Sequence, residues 1–417
     1  MKKWTDSLPD KLVEIVAETD TQIESKLKEI DEQVLFNQQK VLEAFKKNNV
    51  SETYFAGSTG YGYDDIGRDG LDRIYADVFK TESAMVRPQI VSGTHSISTA
   101  LFGMLRPGDD LLYITGMPYD TIQEVIGVSG TGIGSMKEYG IGFDYVPLTD
   151  DDHMDVEGLK EKLTDKVKVV AIQRSRGYAT RDSFVVSEIA DMIKEVRNIS
   201  KDVIIFIDNC YGEFSETIEP TEVGADIMAG SLIKNAGGGL AKTGGYIVGR
   251  ADLIEQAGYR LTTPGTGNEE GATLNVMRDF IQGFFLSPHV TGEAIKGAIY
   301  TSALLEKMGL DVSPKWNAPR TDLIQTVNFG KPEPMVKFAQ AIQHESPVDA
   351  YVEPKPSEMA GYEDKVIMAA GTFVEGASVE LSADGPLREP YTLYVQGGLT
   401  YAHVKLAVTA AVEKTFY

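Results

Sequence analysis

The sequence contains a single cysteine, Cys210, so no disulfide can form within the chain. It also lacks any apolar run of about 18 residues or more, the length from which a membrane-spanning helix is inferred. The N-terminal residues lack the apolar segment of a secretory signal peptide. From these absences we expect a cytoplasmic protein that does not insert into a membrane.

Basic residues are in deficit, because 40 lysines and arginines face 62 aspartates and glutamates, for a net charge of −22. Such a surface repels phosphate backbones, so we expect no nucleic-acid partner. The five histidines are scattered, and no His/Cys spacing suits zinc, so we expect no metal site. Any anion-binding site must therefore be a local exception to the overall charge.

A length of 417 residues is enough for two domains. Apolar residues at helical spacing predict an amphipathic helix from Thr21 to Asn48, followed by a loop rich in glycine and tyrosine at 56–70. Beyond Pro288, prolines become frequent and alternating segments predict strands at Ser378–Leu381 and Thr392–Gln396. The predicted division is an N-terminal helical segment at 1–50, a large domain at 51–288 and a small α+β domain at 289–417.

Between Ala84 and Gly249, short apolar runs alternate with stretches of helical spacing. The runs that predict buried strands are Leu111–Thr115, Val167–Ile172, Val203–Ile207 and Tyr246–Val248. The predicted helices are Ile97–Leu105, Val156–Leu163 and Ser187–Asn198. This alternation is typical of an α/β fold with a mostly parallel sheet and helices on both faces. Ligands of such sheets bind at the carboxyl ends of the strands.

Two residues in this part of the chain have side chains suited to chemistry. The run Val203–Ile207 ends in Asp208, a carboxylate near a dry core that needs a cationic partner. Asp208 as a helix cap or as half of a surface ion pair is the alternative. Lys234 follows Asp208 among apolar and small residues, and desolvation lowers the pKa of a lysine and frees its amine for nucleophilic attack.

Two further segments are expected at the carboxyl edge of the sheet. Ser92, Gly93 and Thr94 stand before the helix that begins near Ile97, where free amides and the helix dipole attract a phosphate. An ordinary Ser/Thr helix cap is the alternative. Tyr119 follows another strand, so its ring faces a ligand at this edge or is a rim tyrosine without a role.

The glycine-rich stretch 237–244 superficially suggests a phosphate loop of a nucleotide-binding module without catalysis. It lacks the required spacing, because Ala241 rather than a glycine precedes Lys242.

The order of these motifs resembles that of fold-type I enzymes that use pyridoxal 5′-phosphate (PLP). It is most similar to the aluminium-resistance, or carbon–sulfur lyase, branch related to cystathionine β-lyase and methionine γ-lyase. The segments that carry the resemblance are Tyr61–Asp69, Val91–Ile97, Gln173–Tyr178 and Ser231–Asn235. The resemblance implies an aspartate aminotransferase-like fold, with a mostly parallel seven-stranded sheet in a large domain and a smaller α+β C-terminal domain.

The resemblance also implies roles for residues at the cofactor. Lys234 would be the Schiff-base lysine, and Asp208 would pair with the pyridinium nitrogen. Tyr119 would stack on the pyridine ring and protonate a leaving thiolate. The residues implied to hold the cofactor are Ser92, Gly93, Thr94, Tyr119, Asp208, Ser231, Lys234 and Tyr63, with Tyr63 reaching into a neighbouring subunit's site.

For the substrate carboxylate the candidates are Arg388, Arg174 and Arg176, because a guanidinium offers a bidentate fork. Pairing of Arg174 and Arg176 with nearby carboxylates is the alternative. The sequence departs from the lyases at Asp65, where they carry an arginine, so Arg68 or Arg87 would have to supply that cation.

We therefore expect a PLP-dependent carbon–sulfur lyase that performs β- or γ-elimination on a small sulfur-containing amino acid. Another PLP reaction on an amino acid, namely transamination, aldol cleavage or decarboxylation, stays open because the fold hosts all of them. The resemblance further implies a homodimer or homotetramer with active sites shared between subunits.

Overall fold

The computed structural model describes residues 3–359, 362 and 364–417, which divide into two compact units. One unit comprises Phe36–Ser287, and the other comprises the residues up to Leu35 together with Pro288–Tyr417. The division falls within two long helices, α1 (Asp10–Lys47) and α8 (Met277–Lys307). The predicted division into an N-terminal segment at 1–50, a large domain at 51–288 and a small domain at 289–417 stays a prediction.

The larger unit contains a seven-stranded sheet. Its strands are β1 (Ser83–Arg87), β2 (Asp110–Tyr113), β3 (Gly142–Tyr145), β4 (Val167–Gln173), β5 (Ile204–Asp208), β6 (Ile227–Ser231) and β7 (Gly245–Gly249). Their spatial order is β1-β7-β6-β5-β4-β2-β3; β7 pairs antiparallel with β1 and with β6, and the other neighbouring strands pair parallel. The predicted mostly parallel sheet is confirmed.

Helices cover both faces of this sheet. They are α2 (Ile66–Val78), α3 (Gly93–Met104), α4 (Asp120–Ile126), α5 (Val156–Lys162), α6 (Val186–Ile199) and α7 (Ala251–Leu261). Along β5, Ile205 and Ile207 enter one apolar core, with side chains of α2, α5 and α6, while Ile204 and Phe206 enter the opposite core, with α3, α4 and α7. Burial on both faces explains why the central strands are continuously apolar.

The second unit contains an antiparallel five-stranded sheet of order β10-β11-β12-β9-β8. Its remaining elements are β8 (Asp311–Ser313), β9 (Ile324–Asn328), α9 (Pro332–His344), β10 (Val366–Ala369), β11 (Ser382–Pro386), β12 (Thr392–Gln396) and α10 (Tyr401–Phe416). The strand predicted at Ser378–Leu381 is wrong. That segment is a loop, because the Glu380 carboxylate accepts hydrogen bonds from the amides of Phe373 and Val374.

The N-terminal helix begins earlier than Thr21, since α1 starts at Asp10. Leu12, Val16 and Ile23 are buried at helical spacing, but Thr19 occupies the buried position between them and interrupts the apolar pattern. Its hydroxyl is satisfied by the carbonyl of Ile15. In the part of the chain that the structure describes, no helix is long and apolar enough to cross a membrane.

Candidate active site

The carboxyl ends of β4, β5 and β6 meet at one edge of the larger sheet. Gln173 pairs with Asp208 across β4 and β5, and Asp208 pairs with Ala229 across β5 and β6. Ser231 ends β6, and Lys234 comes after it, separated by Leu232 and Ile233. The topology thus brings Asp208, Ser231 and Lys234 to the same edge, as ligand sites of α/β sheets require.

Asp208 is buried at the end of β5. Its carboxylate accepts a hydrogen bond from the amide of Cys210 at 3.1 Å. Burial raises the pKa of Asp208, although the Cys210 amide and the positive charges of Lys234 and Arg181 act against this rise. A cation placed against this carboxylate would stabilise its ionised form.

Lys234 lies over an aromatic ring, with its Nζ 4.1 Å from the ring centroid of Tyr211. The backbone of Tyr211 is left-handed (φ 71°), a conformation that non-glycine residues seldom adopt. The Asn235 side chain donates to the Tyr211 carbonyl at 2.9 Å and thereby holds this turn next to Lys234.

Desolvation acts on Lys234 as expected, but the net pKa of this lysine in the chain alone is raised rather than lowered. Burial does lower this pKa, but the negative potential of surrounding acidic groups outweighs it, so the net pKa is raised. Those groups are Cys210, Tyr211, Asp208 and Glu213. The amine is therefore an ammonium ion near neutral pH unless its surroundings or its bonding change.

The N-terminus of α3 abuts the end of β6. Ser92 caps the helix, since its Oγ accepts from the His95 amide at 3.1 Å. A Cβ on Gly93 would lie 3.0 Å from Cys210 Sγ and 3.3 Å from Ser231 Cβ. The structure thus has the helix N-terminus that the sequence predicted near these residues. The Ser92 side chain acts as an ordinary helix cap, which was the alternative interpretation.

Ser231 Oγ is fully buried and has no hydrogen-bond partner within the described ranges. A buried hydroxyl without a partner is destabilising, which indicates that a polar group fills this position when the site is loaded. The first-turn amides of α3 beside it lack intrahelical acceptors. Together they fit a phosphate group.

Tyr119 immediately precedes α4, and a hydrogen bond connects it to Gln173 at the end of β4. Its amide donates to Gln173 Oε1 at 2.7 Å, and its ring packs against Gly177 so closely that a Cβ there would lie 2.6 Å from Cδ2. The Tyr178 ring lies 5.8 Å away, centroid to centroid. Thr94 and Thr121 share a hydrogen bond of 2.8 Å, which ties α4 to the start of α3.

Tyr63 lies on the loop before α2 with 54% of its surface exposed, and its ring stacks on Tyr61 at 5.4 Å. In the chain alone this pair contacts solvent, so the role in a neighbouring subunit's site stays a prediction.

Arg174 is fully buried. Its guanidinium donates to Asn209 Oδ1 (2.8 Å), the Gly212 carbonyl (3.0 Å) and Ser215 Oγ (3.2 Å). It also forms ion pairs with Glu216 at 2.9 Å and Glu219 at 3.4 Å. This geometry is that of a residue that folds the loop after β5; its predicted role in substrate binding stays a prediction.

Arg176 is also buried and forms an ion pair with Asp182, while its amide donates to Ser183 Oγ at 2.9 Å. Arg388 belongs to the other unit. There its guanidinium, with the side chain 51% exposed, pairs with Asp364 at 3.0 Å.

At the position where the lyases carry an arginine, Asp65 caps α2. Its carboxylate accepts from the Arg68 amide (2.9 Å), from Thr273 Oγ1 (2.6 Å) and from Ser58 Oγ. Burial raises the pKa of Asp65, but these hydrogen bonds outweigh it and the net pKa is lowered. Asp65 thus stabilises the loop that carries Tyr63.

The two cations proposed to compensate for Asp65 are both buried. Arg68 donates to the carbonyls of Gly62 (2.7 Å) and Gly271 (3.2 Å). Arg87 pairs with both carboxylate oxygens of Asp72 at 2.8 Å.

Sequence reasoning did not single out Tyr211, Glu213 or Arg181. Tyr211 and Glu213 follow Asp208 closely, so their proximity to the sheet edge was a usable signal. Arg181 is buried, and its guanidinium donates to the carbonyls of Gln173 (2.8 Å) and Ser175 (3.0 Å). Nothing in the local sequence distinguishes it from a surface arginine.

The sequence profile of methionine gamma-lyase matches residues 12–416. The chain belongs to the methionine gamma-lyase family. The predicted family and the predicted PLP-dependent lyase are thereby confirmed, as is PLP as the cofactor.

Among relatives of this family member, the uncharacterized protein YnbB of Bacillus subtilis is 56% identical over 405 residues, 96% of each chain. A crystal structure from Listeria monocytogenes, named as a candidate cystathionine beta-lyase involved in aluminum resistance, is 60% identical with a TM-score of 0.95. The match covers 96% of this chain and 99% of that one.

The fold also occurs in a PLP-dependent protein of Escherichia coli, YhfS, with a TM-score of 0.57 at 18% identity, covering 91% of this chain and 95% of that one. The predicted fold class is confirmed.

Proposed function

We propose that the protein is a PLP-dependent carbon–sulfur lyase that acts on a small cystathionine- or methionine-like amino acid. By β- or γ-elimination it would release a thiol, a 2-oxo acid and ammonia. The observation that carries the proposal is that Asp208 ends β5, while the neighbouring strand β6 ends in the unpartnered hydroxyl of Ser231 and leads to Lys234. The family membership and the name of the Listeria relative support it.

The residues that would hold the cofactor are Ser92, Gly93, Thr94 and Ser231 for the phosphate, Asp208 for the ring nitrogen, Lys234 for the aldehyde carbon, Tyr119 for the ring face, and Tyr63 of a neighbouring subunit. When bound, PLP supplies an electron sink for the charge that develops at the substrate α-carbon. Asp208 suits its place because a buried carboxylate favours a protonated ring nitrogen nearby.

Side chains of the protein would transfer the protons and bind the substrate carboxylate. Lys234, once its amine is neutral, is positioned to accept the α-proton, and the hydroxyl of Tyr119 is the proposed donor to the leaving thiolate. For the substrate carboxylate, Arg388, Arg174 and Arg176 remain the candidates, although each already has a carboxylate partner.

The cofactor assignment is tested by reducing the purified protein with borohydride and mapping the modified peptide by mass spectrometry. We expect a pyridoxyl group on Lys234 and loss of the visible absorption band. Lys234→Ala should lose both the adduct and activity. The matched control is Lys242→Ala, because Lys242 lies in the same glycine-rich segment but is 80% exposed and pairs with Asp279. An unmodified Lys234 in reduced protein that had been incubated with PLP would refute the assignment.

A substrate panel tests the reaction. Pyruvate with thiol from a cystathionine-like substrate indicates β-elimination, and 2-oxobutyrate with thiol from a methionine-like substrate indicates γ-elimination. Carbon dioxide, an aldehyde or an amino-group transfer without thiol would contradict the lyase proposal.

We further propose a cytoplasmic homodimer or homotetramer in which Tyr63 completes the neighbouring site. The exposure of the Tyr61–Tyr63 pair supports it, since large apolar surface at a glycine-rich loop suits an interface. Mixing Tyr63→Ala with Lys234→Ala subunits should restore activity that neither has alone. No restoration after verified subunit exchange would contradict shared sites.

A further inference from the structure

The loop after β5 carries a second buried acidic group, Glu213. The side chain of Glu213 has no exposed surface, and its Oε1 accepts a hydrogen bond from the hydroxyl of Tyr246 at 2.7 Å. Its Oε2 has no hydrogen-bond partner in the described part of the chain. A buried carboxyl oxygen left in this way is destabilising, and the chemistry above makes no use of it.

The strand that leads to Lys234 is built against this carboxyl group. A Cβ on Gly230, in β6, would lie 2.4 Å from Glu213 Oε1 and 2.6 Å from the Tyr246 hydroxyl. Only glycine leaves room for the carboxyl group here.

Asn235, the residue after Lys234, forms hydrogen bonds with the loop that carries Glu213. The side-chain Nδ2 of Asn235 donates hydrogen bonds to the backbone carbonyls of Tyr211 and Glu213, both at 2.9 Å. Because β6 and Asn235 both contact the Glu213 segment, movement of this carboxyl group relative to Lys234 is restricted.

Charge links the two residues as well. Burial raises the pKa of Glu213 to about 8, against the Tyr246 hydrogen bond and the positive charge of Lys234, which lower it. In turn, Glu213 is one of the groups that raise the pKa of Lys234. The titratable groups that face Glu213 are Tyr246 of β7, Tyr75 of α2, Lys234 after β6, and Cys210 and Glu219 of its own loop.

We propose that Glu213 is a positioning residue whose carboxyl group, held by Tyr246 against β6, controls the charge on the Lys234 amine. Ionised Glu213 favours the positively charged amine, and protonated Glu213 favours the neutral amine that accepts a proton from the substrate. The inference rests on the proposed function, because it takes Lys234 to be the reactive amine. No residue of the cofactor cradle need contact Glu213 for this coupling.

The test is a pH titration of the visible absorption band of the holoenzyme, together with the pH profile of kcat. Glu213→Gln keeps the size of the side chain and can still accept from Tyr246, but it carries no charge. We expect both midpoints to fall by about one pH unit, the scale of a nearby unit charge in a partly screened site. KM should change less than kcat, since Glu213 acts through Lys234.

Tyr246→Phe provides a second variant in case the first does not fold. Losing the hydroxyl keeps Glu213 protonated to higher pH, so both midpoints should fall in the same direction but by less. The matched control is Glu255→Gln, because Glu255 is an exposed carboxylate on α7 that accepts a hydrogen bond from Tyr259 of the same helix. We expect its midpoints to equal those of the wild type.

The two proposals fail in different ways. Holoenzymes whose visible band and kcat profile have the same pH midpoints in the wild type and in both site variants would overturn the role of Glu213 alone. A wild-type protein that forms no visible band with added PLP would overturn the proposed function itself.

Discussion

Replacement of Arg174 by methionine separates its two possible roles. Methionine keeps an unbranched apolar side chain but removes the charge that faces Glu219, a residue with no exposed surface. Removing one partner of a buried ion pair costs about 3–5 kcal/mol, because the other charge stays buried without compensation. Since about 2–4 °C of melting temperature corresponds to each kcal/mol in a domain of this size, we expect a fall on the order of 10 °C.

The pH dependence of this loss has a definite sign. Burial already raises the pKa of Glu219, while Arg174 lowers it, so Arg174→Met raises it further. A carboxyl group with a raised folded-state pKa favours folding at low pH and loses that contribution as the pH rises through the folded-state pKa. The destabilisation should therefore be smaller at acidic pH than at alkaline pH, and a second change, Glu219→Gln, should recover part of the stability.

Calorimetric melting at several pH values measures this effect, with circular dichroism as a check on folding. Melting of Arg174→Met at the wild-type temperature, combined with a raised KM for the amino acid, would refute the structural reasoning. That outcome would instead assign Arg174 to the substrate carboxylate.

Other substitutions test single contacts. Ser231→Ala should slightly raise the melting temperature of the cofactor-free protein, because it removes a buried hydroxyl that bonds no described residue, yet weaken PLP retention on dialysis about tenfold, the loss of a charge-assisted hydrogen bond. Gly230→Ala should lower stability by about 1–3 kcal/mol in a denaturant titration, because its Cβ would overlap Glu213; an unchanged midpoint would contradict that packing. Asp65→Ala should cost about 1 kcal/mol through loss of the α2 cap, whereas Asp65→Asn, which keeps a capping oxygen, should cost less.

Apolar runs predicted β2, β4, β5 and β7, because strands covered on both faces are continuously apolar, but they did not predict β1, β3 or β6. Val167–Ile172 and Val203–Ile207 lie within one residue of the observed β4 and β5 limits. The direction of β7 could not be predicted, because an apolar run carries no information on whether it pairs parallel or antiparallel. The loop at Ser378–Leu381 depends on Glu380 and its acceptor contacts, which are tertiary.

At the site, the apolar run of β5 predicted Asp208 at a strand end, whereas Ser231 and Lys234 were assigned through the family resemblance, because β6 was not among the predicted strands. The sequence could not predict which charged groups surround Lys234 and Arg174. The raised pKa of Lys234 depends on Tyr211 and Glu213, and the partners of Arg174 follow from how the loop after β5 turns back. Such contacts exist only once the chain is folded.

The antiparallel direction of β7 has a consequence for how the site assembles. Two parallel strands pair only after the long crossover between them has formed. The antiparallel strands β6 and β7 need no such crossover, and Ser231 pairs with Gly245. Lys234 lies in the connection between them, so contacts of short sequence separation close around it, and such contacts form rapidly in folding. We expect hydrogen exchange during refolding to protect this pair before the β4–β5 pair, so that the loop carrying the reactive amine closes before the sheet edge that it serves is complete.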